Sequence, residues 1–369
     1  MKRTLNYLLG FVAMFGMVTL ISCEGPEGPA GMDGADGTDG VDGNVSCLSC
    51  HTQVKMDAIE DAFAEHKHVS GTSWSYAGTR ESCAPCHDGE AIVTFLNSGA
   101  LVAGYGVGLE CGSCHNDHAS LEDDIDAPVR MVASVASVAF EGVTYDHGTG
   151  NVCATCHQAR RDAASYYGAE DATYTRKFTG DDIAAYENAS VGPNGSITLD
   201  GDTLIVVFDV PAATHVYTSS THAGPHHGPQ ANMFAADMGS VAGTPFERDH
   251  HTDCASCHLS DTTAATGYGH SFEPDIAMCD ACHGDALDIT AEMAAIEARM
   301  DAVAEALEAL HAIHVDEDGA VHPMYASLPT AQWNAFWDYM CLWEDKSHGL
   351  HNFNYAKQLL TAAENALGL

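Results

Sequence analysis

Basic residues are scarce in this chain: its 369 residues include 14 Lys and Arg against 52 Asp and Glu, a formal net charge of −38 at pH 7. Nucleic acids are bound by basic side chains that neutralise phosphates, so this balance argues against a nucleic-acid partner. An acidic surface favours solubility and steers basic or cationic partners, and a saline habitat would explain it equally well.

Long apolar runs and strand-like segments are also scarce for a chain of this length. We therefore expect something other than aliphatic side chains to fill part of the core. One apolar run, from Leu8 to Ile21, follows two basic residues near the start and is too short to span a bilayer comfortably, which is typical of a secretory signal peptide. It ends in Ser22-Cys23, which resembles a bacterial lipobox and implies lipidation of Cys23.

The chain divides into six segments by composition. We predict a lipoprotein signal peptide (1–22), a lipidated Cys with a Gly-rich, collagen-like acidic tether (23–45), a haem module for haems 1–4 (46–165), an insert with a β-hairpin (166–220), a haem module for haems 5–6 (221–287) and C-terminal helices (288–369). The hairpin is predicted from two β-prone runs around Gly201-Asp202. The helices are predicted from apolar residues at steps of three and four, such as Ile296, Met300 and Val303.

Twelve of the 14 cysteines belong to one motif, CxxCH, which occurs six times. Its cysteine pairs are Cys47 and Cys50, Cys83 and Cys86, Cys111 and Cys114, Cys153 and Cys156, Cys254 and Cys257, and Cys279 and Cys282. CxxCH is the attachment signature of c-type haem, because two thiols on one helical turn can bond both vinyl groups of a porphyrin while the next imidazole binds iron. The motifs therefore predict six covalent haems, whereas zinc sites or a disulfide framework would not need the His.

The His of each motif is the predicted proximal iron ligand: His51, His87, His115, His157, His258 and His283. Sixteen further His could supply the six opposite axial positions, enough for bis-His ligation throughout. Our candidates for these distal ligands are His68, His118, His226 or His227, His251, His270 and His351.

Several segments resemble the multihaem cytochromes related to pentahaem cytochrome c nitrite reductase and the octahaem reductases. They are the fourth motif within Asn151–Arg160, Gly-Pro-His-His-Gly-Pro-Gln at 224–230, Gly269-His-Ser-Phe, and Asp345-Lys-Ser-His-Gly-Leu-His-Asn-Phe-Asn-Tyr355. The resemblance implies that His351 is a distal ligand and His348 its neighbour. The catalytic haem of those reductases is attached through CxxCK, which this sequence does not contain.

The predicted fold is mainly α-helical and irregular, with haems as the core, a small β-hairpin insert and a C-terminal helical bundle. The predicted function is electron transfer between a membrane-side donor and an outer or extracellular acceptor, with no catalytic residue assigned. Reduction of a nitrogen or sulfur oxyanion at a haem without a distal His, and assembly into an extracellular cytochrome filament, remain as alternatives.

The expected partners are redox proteins, such as other cytochromes or a membrane quinol-oxidising complex, and the membrane itself through the N-terminal lipid. A homo-oligomer could form through the C-terminal helices. We expect an exported lipoprotein at the outer membrane, on its periplasmic or cell-surface face.

Overall fold

A computed structural model describes residues 48, 50–118, 128–130, 133–245, 253–279, 283–284 and 288–369. The predicted signal peptide and tether lie outside these residues, as do Cys23, Cys47, Cys282 and His251. The fold is mixed, with many short helices, three longer ones near the carboxyl end and small antiparallel sheets.

The α-helices lie in the following order along the described chain. They are α1 (Gln53–Glu65), α2 (Lys67–Ser70), α3 (Trp74–Ala77), α4 (Ala84–His87), α5 (Gly89–Ser98), α6 (Cys111–Cys114), α7 (Asn151–Ala154), α8 (Asp182–Tyr186), α9 (Gln230–Ala235), α10 (Cys254–His258), α11 (Ile289–Ala309), α12 (Thr330–Asp345) and α13 (Phe353–Leu367). Short 3₁₀ helices cover Gly148–Gly150, Ala163–Tyr166, Ala264–Thr266 and Ile276–Cys279.

The strands are short and all pair antiparallel. They are β1 (Val135–Ala136), β2 (Thr144–Tyr145), β3 (Ala172–Thr179), β4 (Ser196–Asp200), β5 (Thr203–Val210), β6 (His215–Tyr217), β7 (Ile313–Val315), β8 (Val321–Pro323) and β9 (Ser327–Pro329). They pair as β1-β2, β3-β5-β4, β6-β9 and β7-β8.

The predicted hairpin is confirmed by β4 and β5, which pair from Asp200 opposite Thr203 and turn at Gly201, whose φ is +65°. That left-handed conformation suits glycine, which has no Cβ to clash. Every second residue of β5, from Leu204 to Val210, is buried, so one face of the sheet packs on a core and the other does not. The third strand, β3, was not predicted from the sequence.

The largest apolar core lies among the three C-terminal helices, which confirms the helical bundle predicted from the apolar periodicity. The side chain of Asp288 accepts the backbone N–H of Ala291 and caps α11. The predicted stripe along α11, including Ile296, Val303 and Leu307, is buried in this core with α12 and α13 of the same chain. The stripe is therefore covered within the chain.

Aromatic residues of α12 fill the centre of this core. Trp333 and Trp337 are at most 1% exposed and stack with ring centroids 5.9 Å apart. The Trp337 ring N–H donates to the carbonyl of Met238 at 2.7 Å, so its polar atom is satisfied within an apolar surrounding. Cys341, also on α12, is fully buried and packs as a small apolar residue.

The insert and the C-terminal segment share backbone contacts. Strand β6 pairs with β9, with Tyr217 opposite Ser327. The Tyr217 ring is fully buried and stacks on Tyr174 of β3 at 4.2 Å between centroids. These contacts join the three-stranded sheet to the helical core. None of the described helices has the length and apolar character needed to cross a bilayer.

Truncating the α11 stripe tests this packing. Leu307 is fully buried in the helical core, so Leu307→Ala removes apolar contacts and leaves a cavity. We expect a loss of about 2–5 kcal/mol in the free energy of unfolding, measured by chemical denaturation followed by far-ultraviolet circular dichroism. Glu305→Ala on the exposed side of α11 is the control and should change stability by less than about 0.5 kcal/mol. Equal losses in both variants would contradict this account of the core.

Candidate functional site

The CxxCH motifs adopt a shared local geometry. The backbone N–H of His87, His115 and His157 donates to the carbonyl of the first Cys of its own motif, at 3.2, 2.9 and 2.8 Å. Each of these bonds closes one helical turn, which places cysteines three positions apart on the same side of the turn. The fifth motif is itself a short helix, α10. This is the arrangement that attachment of both thiols to one porphyrin requires.

Nine cysteines are thiols and form no disulfide in the described structure. They are Cys83, Cys86, Cys111, Cys114, Cys153, Cys156, Cys254, Cys257 and Cys341. Eight of these belong to CxxCH motifs, so these motif thiols are not joined to one another by disulfide bonds.

Five of the six motif imidazoles each face a second imidazole from elsewhere in the chain. We call these ring pairs one to five, after their motif, and give the distance between ring centroids. They are His51 with His118 (6.1 Å), His87 with His226 (6.1 Å), His115 with His270 (6.3 Å), His157 with His68 (6.0 Å) and His258 with His351 (6.3 Å). Every second member was a candidate distal ligand in the sequence.

The spacing of the ring pairs fits a metal ion between the two rings. Two imidazoles that bind one iron from opposite sides have ring centres about 6.3 Å apart, because each metal–nitrogen bond is about 2.0–2.1 Å and each ring centre lies about 1.1 Å beyond its nitrogen. Two contacts between His rings that are near in sequence are shorter, 4.5 Å for His66 with His68 and 5.3 Å for His226 with His227, whereas His314 and His322, which follow no CxxC pair, are 6.5 Å apart. The residues present therefore fit five bis-imidazole iron sites.

Several of these imidazoles have depressed pKa values. Burial, followed by the nearby His157 and His66 rings, lowers the pKa of His68 to about 3. Loss of hydration, followed by the neighbouring His227 and His87, lowers the pKa of His226 to about 4. Burial also lowers the pKa of His157. At neutral pH these rings carry a free nitrogen lone pair, which metal ligation requires.

The sequence left His226 and His227 as alternatives, and their side chains point in different directions. The His226 ring faces His87, and its backbone has a φ of +79°. Such a conformation is uncommon for a residue with a Cβ and is found where surrounding contacts hold it. The His227 Nδ1 instead lies 2.7 Å from the Glu344 carboxylate, and its side chain is 77% exposed.

His351 lies in the turn between α12 and α13. Its Nδ1 is 2.8 Å from Oδ1 of Asp345, the last residue of α12. Burial alone would lower the pKa of His351, but the attraction of the Asp345 carboxylate raises the pKa above its ordinary value. His348, three residues earlier, instead lies 3.8 Å from Glu297 at the surface.

The fourth motif contacts two other motifs through its thiols. The Cys156 thiol lies beside Cys86 of the second motif, and its Sγ is 3.8 Å from the Pro85 carbonyl oxygen. The Cys153 thiol lies beside Cys254 of the fifth motif. These contacts join motifs that are far apart in sequence.

Phe272 connects ring pairs three, four and five. Its ring is 5.1 Å from the His68 ring and 6.1 Å from the His270 ring, and its carbonyl accepts a hydrogen bond from His258 Nδ1 at 2.8 Å. In the sequence, Phe272 was named only as the last residue of the Gly269-His-Ser-Phe segment, and only His270 was given a role there. The role of Phe272 was not predicted, because it depends on contacts with residues remote along the chain.

Some predicted site residues have no described position or no described ring partner. Cys23, Cys47, Cys282 and His251 lie outside the described residues, and the second ligand of His283 stays a prediction. Within the part of the chain that is described, no group of three or more His, Cys, Asp and Glu side chains is arranged to hold a metal ion.

Comparisons with known proteins are sparse. No family model and no curated protein matches the chain. An outer cell wall cytochrome, OcwA, has a similar solved structure, with 17% identity and a TM-score of 0.46 over 84% of this chain and 50% of the other. An undecahaem cytochrome from the S-layer of Carboxydothermus ferrireducens matches at 15% identity and a TM-score of 0.37, over 84% and 40%. The chain thus spans at most half of either structure.

Asp88, which directly follows the second motif, holds a loop against it. Its Oδ1 accepts the backbone N–H groups of Glu90 and Ala91, and its Oδ2 accepts those of Tyr105, Gly106 and Val107, all at 2.8–3.2 Å. Its side chain is fully buried. Burial alone would raise the pKa of Asp88, but the N–H donors lower the pKa below its ordinary value of 3.8.

Asp88→Asn tests this anchor. An amide has one acceptor oxygen, and its NH₂ faces backbone donors, so we expect a loss of roughly 2–4 kcal/mol in the free energy of unfolding at pH 7. Because the folded pKa is depressed, the carboxylate stabilises the fold above the ordinary pKa of 3.8, and this effect is lost as the pH falls through the folded pKa. The difference between wild type and variant, measured by denaturation, should therefore shrink in acid.

The exposed Asp200→Asn on the hairpin serves as the control and should change stability little at any pH. A difference for Asp88→Asn that is negligible at pH 7, or that grows on acidification, would contradict the proposed anchor.

Proposed function

We propose that this chain is a multihaem c-type cytochrome that transfers electrons along a series of haems, each held between two imidazoles. The observation that carries the proposal is one repeated geometry. In five motifs the CxxCH imidazole faces a second imidazole at 6.0–6.3 Å between ring centroids. A disulfide framework does not call for this second imidazole, and a zinc site with two His does not need one of them directly after every CxxC pair.

In this proposal the two thiols of each motif bind a porphyrin covalently and the ring pair binds its iron from both sides. The second members of ring pairs one to five are then the distal ligands: His118, His226, His270, His68 and His351. A haem bound there supplies reversible one-electron exchange between ferric and ferrous iron. With imidazoles from the chain on both sides, an iron held there would have no position open to a substrate, and such a site would serve to carry electrons.

The sixth motif completes the predicted set of haems. Its described residues are Cys279 and His283, and His251 is the candidate distal ligand that the five ring pairs leave over, so we propose it for this motif. Six haems therefore remain the number we propose.

The contacts between motifs support a route for electrons. Thioether sulfurs lie at the edge of a porphyrin, so thiols in contact bring two porphyrin edges close together. Contacts of Cys156 with Cys86, and of Cys153 with Cys254, place the fourth motif between the second and the fifth. Through Phe272, ring pair four also adjoins ring pair three. We infer that the fourth haem is a junction from which several routes diverge.

We propose redox partners for this protein from its net charge, and a location from its first residues. A net charge of −38 favours association with basic redox partners, such as other cytochromes or a quinol-oxidising complex. The signal sequence and Cys23 support export and a lipid anchor, and hence a position at the outer membrane on its periplasmic or cell-surface side.

Two alternative functions make different demands on the molecule. A reductase of nitrogen or sulfur oxyanions needs an iron with an open axial position. A dimer formed through the C-terminal helices needs an exposed apolar seam, whereas the α11 stripe is buried in the core of its own chain.

Substitution of the adjacent His226 and His227 tests the ligand assignment. Replacing His226 by Ala should open one axial position, so electron paramagnetic resonance of the oxidised protein gains one high-spin ferric signal and one haem binds cyanide. His227→Ala is the matched control, because that side chain faces Glu344, and it should leave every haem in its wild-type spin state.

The wild-type protein in the same experiment separates a carrier from a reductase. We expect no high-spin signal and no haem that binds cyanide or nitrite. A wild-type haem that binds nitrite and turns it over would contradict the carrier function. A high-spin haem in His227→Ala but not in His226→Ala would overturn the ligand assignment.

A further inference from the structure

The Asp345 carboxylate is held in a fixed position beside a candidate iron ligand. It is 1% exposed at the end of α12, and its Oδ1 lies 2.8 Å from the Nδ1 of His351. The Ser347 hydroxyl donates to the other carboxylate oxygen. The turn that follows returns the chain through left-handed residues, among them Lys346 (φ +61°) and Gly349 (φ +86°), and so brings His351 back over the carboxylate. Both carboxylate oxygens are thus engaged.

The other imidazoles of the ring pairs have weaker acceptors at Nδ1 or none in the described protein. In four of them the Nδ1 atom lies near a neutral oxygen. Backbone carbonyl oxygens are 2.8 Å away at His258 (from Phe272), 3.2 Å at His115 (from Pro128) and 3.2 Å at His270 (from Tyr268), and the Gln230 Oε1 is 2.8 Å away at His157. The buried Nδ1 atoms of His87 and His118 have no protein acceptor. Of the ten imidazoles in the five described ring pairs, His351 is the one with a carboxylate partner.

A carboxylate that accepts the Nδ1 proton makes the opposite nitrogen of the ring a stronger electron donor. Stronger donation, together with the nearby negative charge, stabilises ferric iron over ferrous iron and lowers the reduction potential. The interaction is strengthened by burial, since charges are poorly screened away from water. The reaction concerned is the gain of one electron by the iron, in which no bond is formed or broken.

We propose that Asp345 is a positioning residue that lowers the reduction potential of the haem held by His258 and His351 below those of the other haems. This inference rests on the proposed function, because it requires a haem between these rings. The second motif has a positive charge beside it instead, because the Arg160 guanidinium contacts the Cys86 thiol there. Electrons that enter at the fifth motif would then run towards higher potential through the fourth motif to the second.

The test is potentiometric titration of the holoprotein, followed by visible absorption and electron paramagnetic resonance, for wild type and Asp345→Asn. The amide keeps the shape of the side chain and removes its charge. We expect the midpoint potential of the lowest-potential step to rise by about 59 mV, which is roughly a tenfold change in the equilibrium constant of a one-electron couple. The other steps should change little.

Glu344→Gln is the matched control. It removes a carboxylate one residue away that contacts His227, which belongs to no ring pair. This variant should leave the lowest-potential step in place. If Asp345→Asn leaves that step unmoved, or if Glu344→Gln moves it equally, the inference fails.

Ser347→Ala provides a second test, which is decisive if Asp345→Asn does not retain the wild-type number of haems by mass spectrometry. Removing the hydroxyl donor leaves more negative charge on the Asp345 oxygens, so the lowest-potential step should move further downward. An unchanged or raised potential would overturn the inference.

His351→Ala distinguishes failure of this inference from failure of the proposed function. If His351→Ala leaves every haem low-spin, His351 is not a ligand and the ligand assignment of the proposed function fails at this site. If His351→Ala produces a high-spin haem while the potential is insensitive to both Asp345→Asn and Ser347→Ala, only the inference about Asp345 fails.

Discussion

An iron ion held between two imidazoles requires the two rings to face each other at a fixed separation. Much of this structure follows from that constraint. The two rings of a pair are brought together from segments as far apart as His87 and His226, or His258 and His351. Short helices and turns are sufficient for this purpose, because each needs to orient only one or two side chains. Among the described residues, the longest helices and strands lie in the C-terminal segment and the β-insert, and α1 (Gln53–Glu65) and α5 (Gly89–Ser98) are the longest elements elsewhere.

The C-terminal helices contribute to the site as well as to stability. Tightly packed aromatic residues fix α12, and its last residue, Asp345, contacts His351 in the turn that precedes α13. The Gln230 Oε1 accepts a hydrogen bond from His157 Nδ1, and the Gln230 Nε2 donates to the Asp345 carbonyl, so Gln230 ties ring pair four to the same helix end. A rigid helical core thereby positions ligands of two proposed haems, as precise ligand geometry requires.

The sequence predicted those features that depend on local pattern. The CxxCH turns, the helices α11 to α13 and the β4–β5 hairpin each follow from the spacing of residues close together in the chain. The match between distal and motif imidazoles was not predictable, because nothing local relates His68 to His157 or separates His226 from His227. The roles of Phe272 and Asp345 likewise depend on contacts that arise only when remote segments fold together. Strand β3 has the charged Arg176 on the same face as Tyr174 and Phe178, which weakened its apolar alternation.

The central claim is that each described ring pair holds one iron. An anomalous difference map, recorded at the iron absorption edge from crystals of the holoprotein, tests it most directly. The account predicts an iron peak midway between the rings of each of the five pairs, including His87 with His226 and His258 with His351. An iron bound to a different second residue, such as His227 or His348, or a ring pair with no iron between its members, would contradict it.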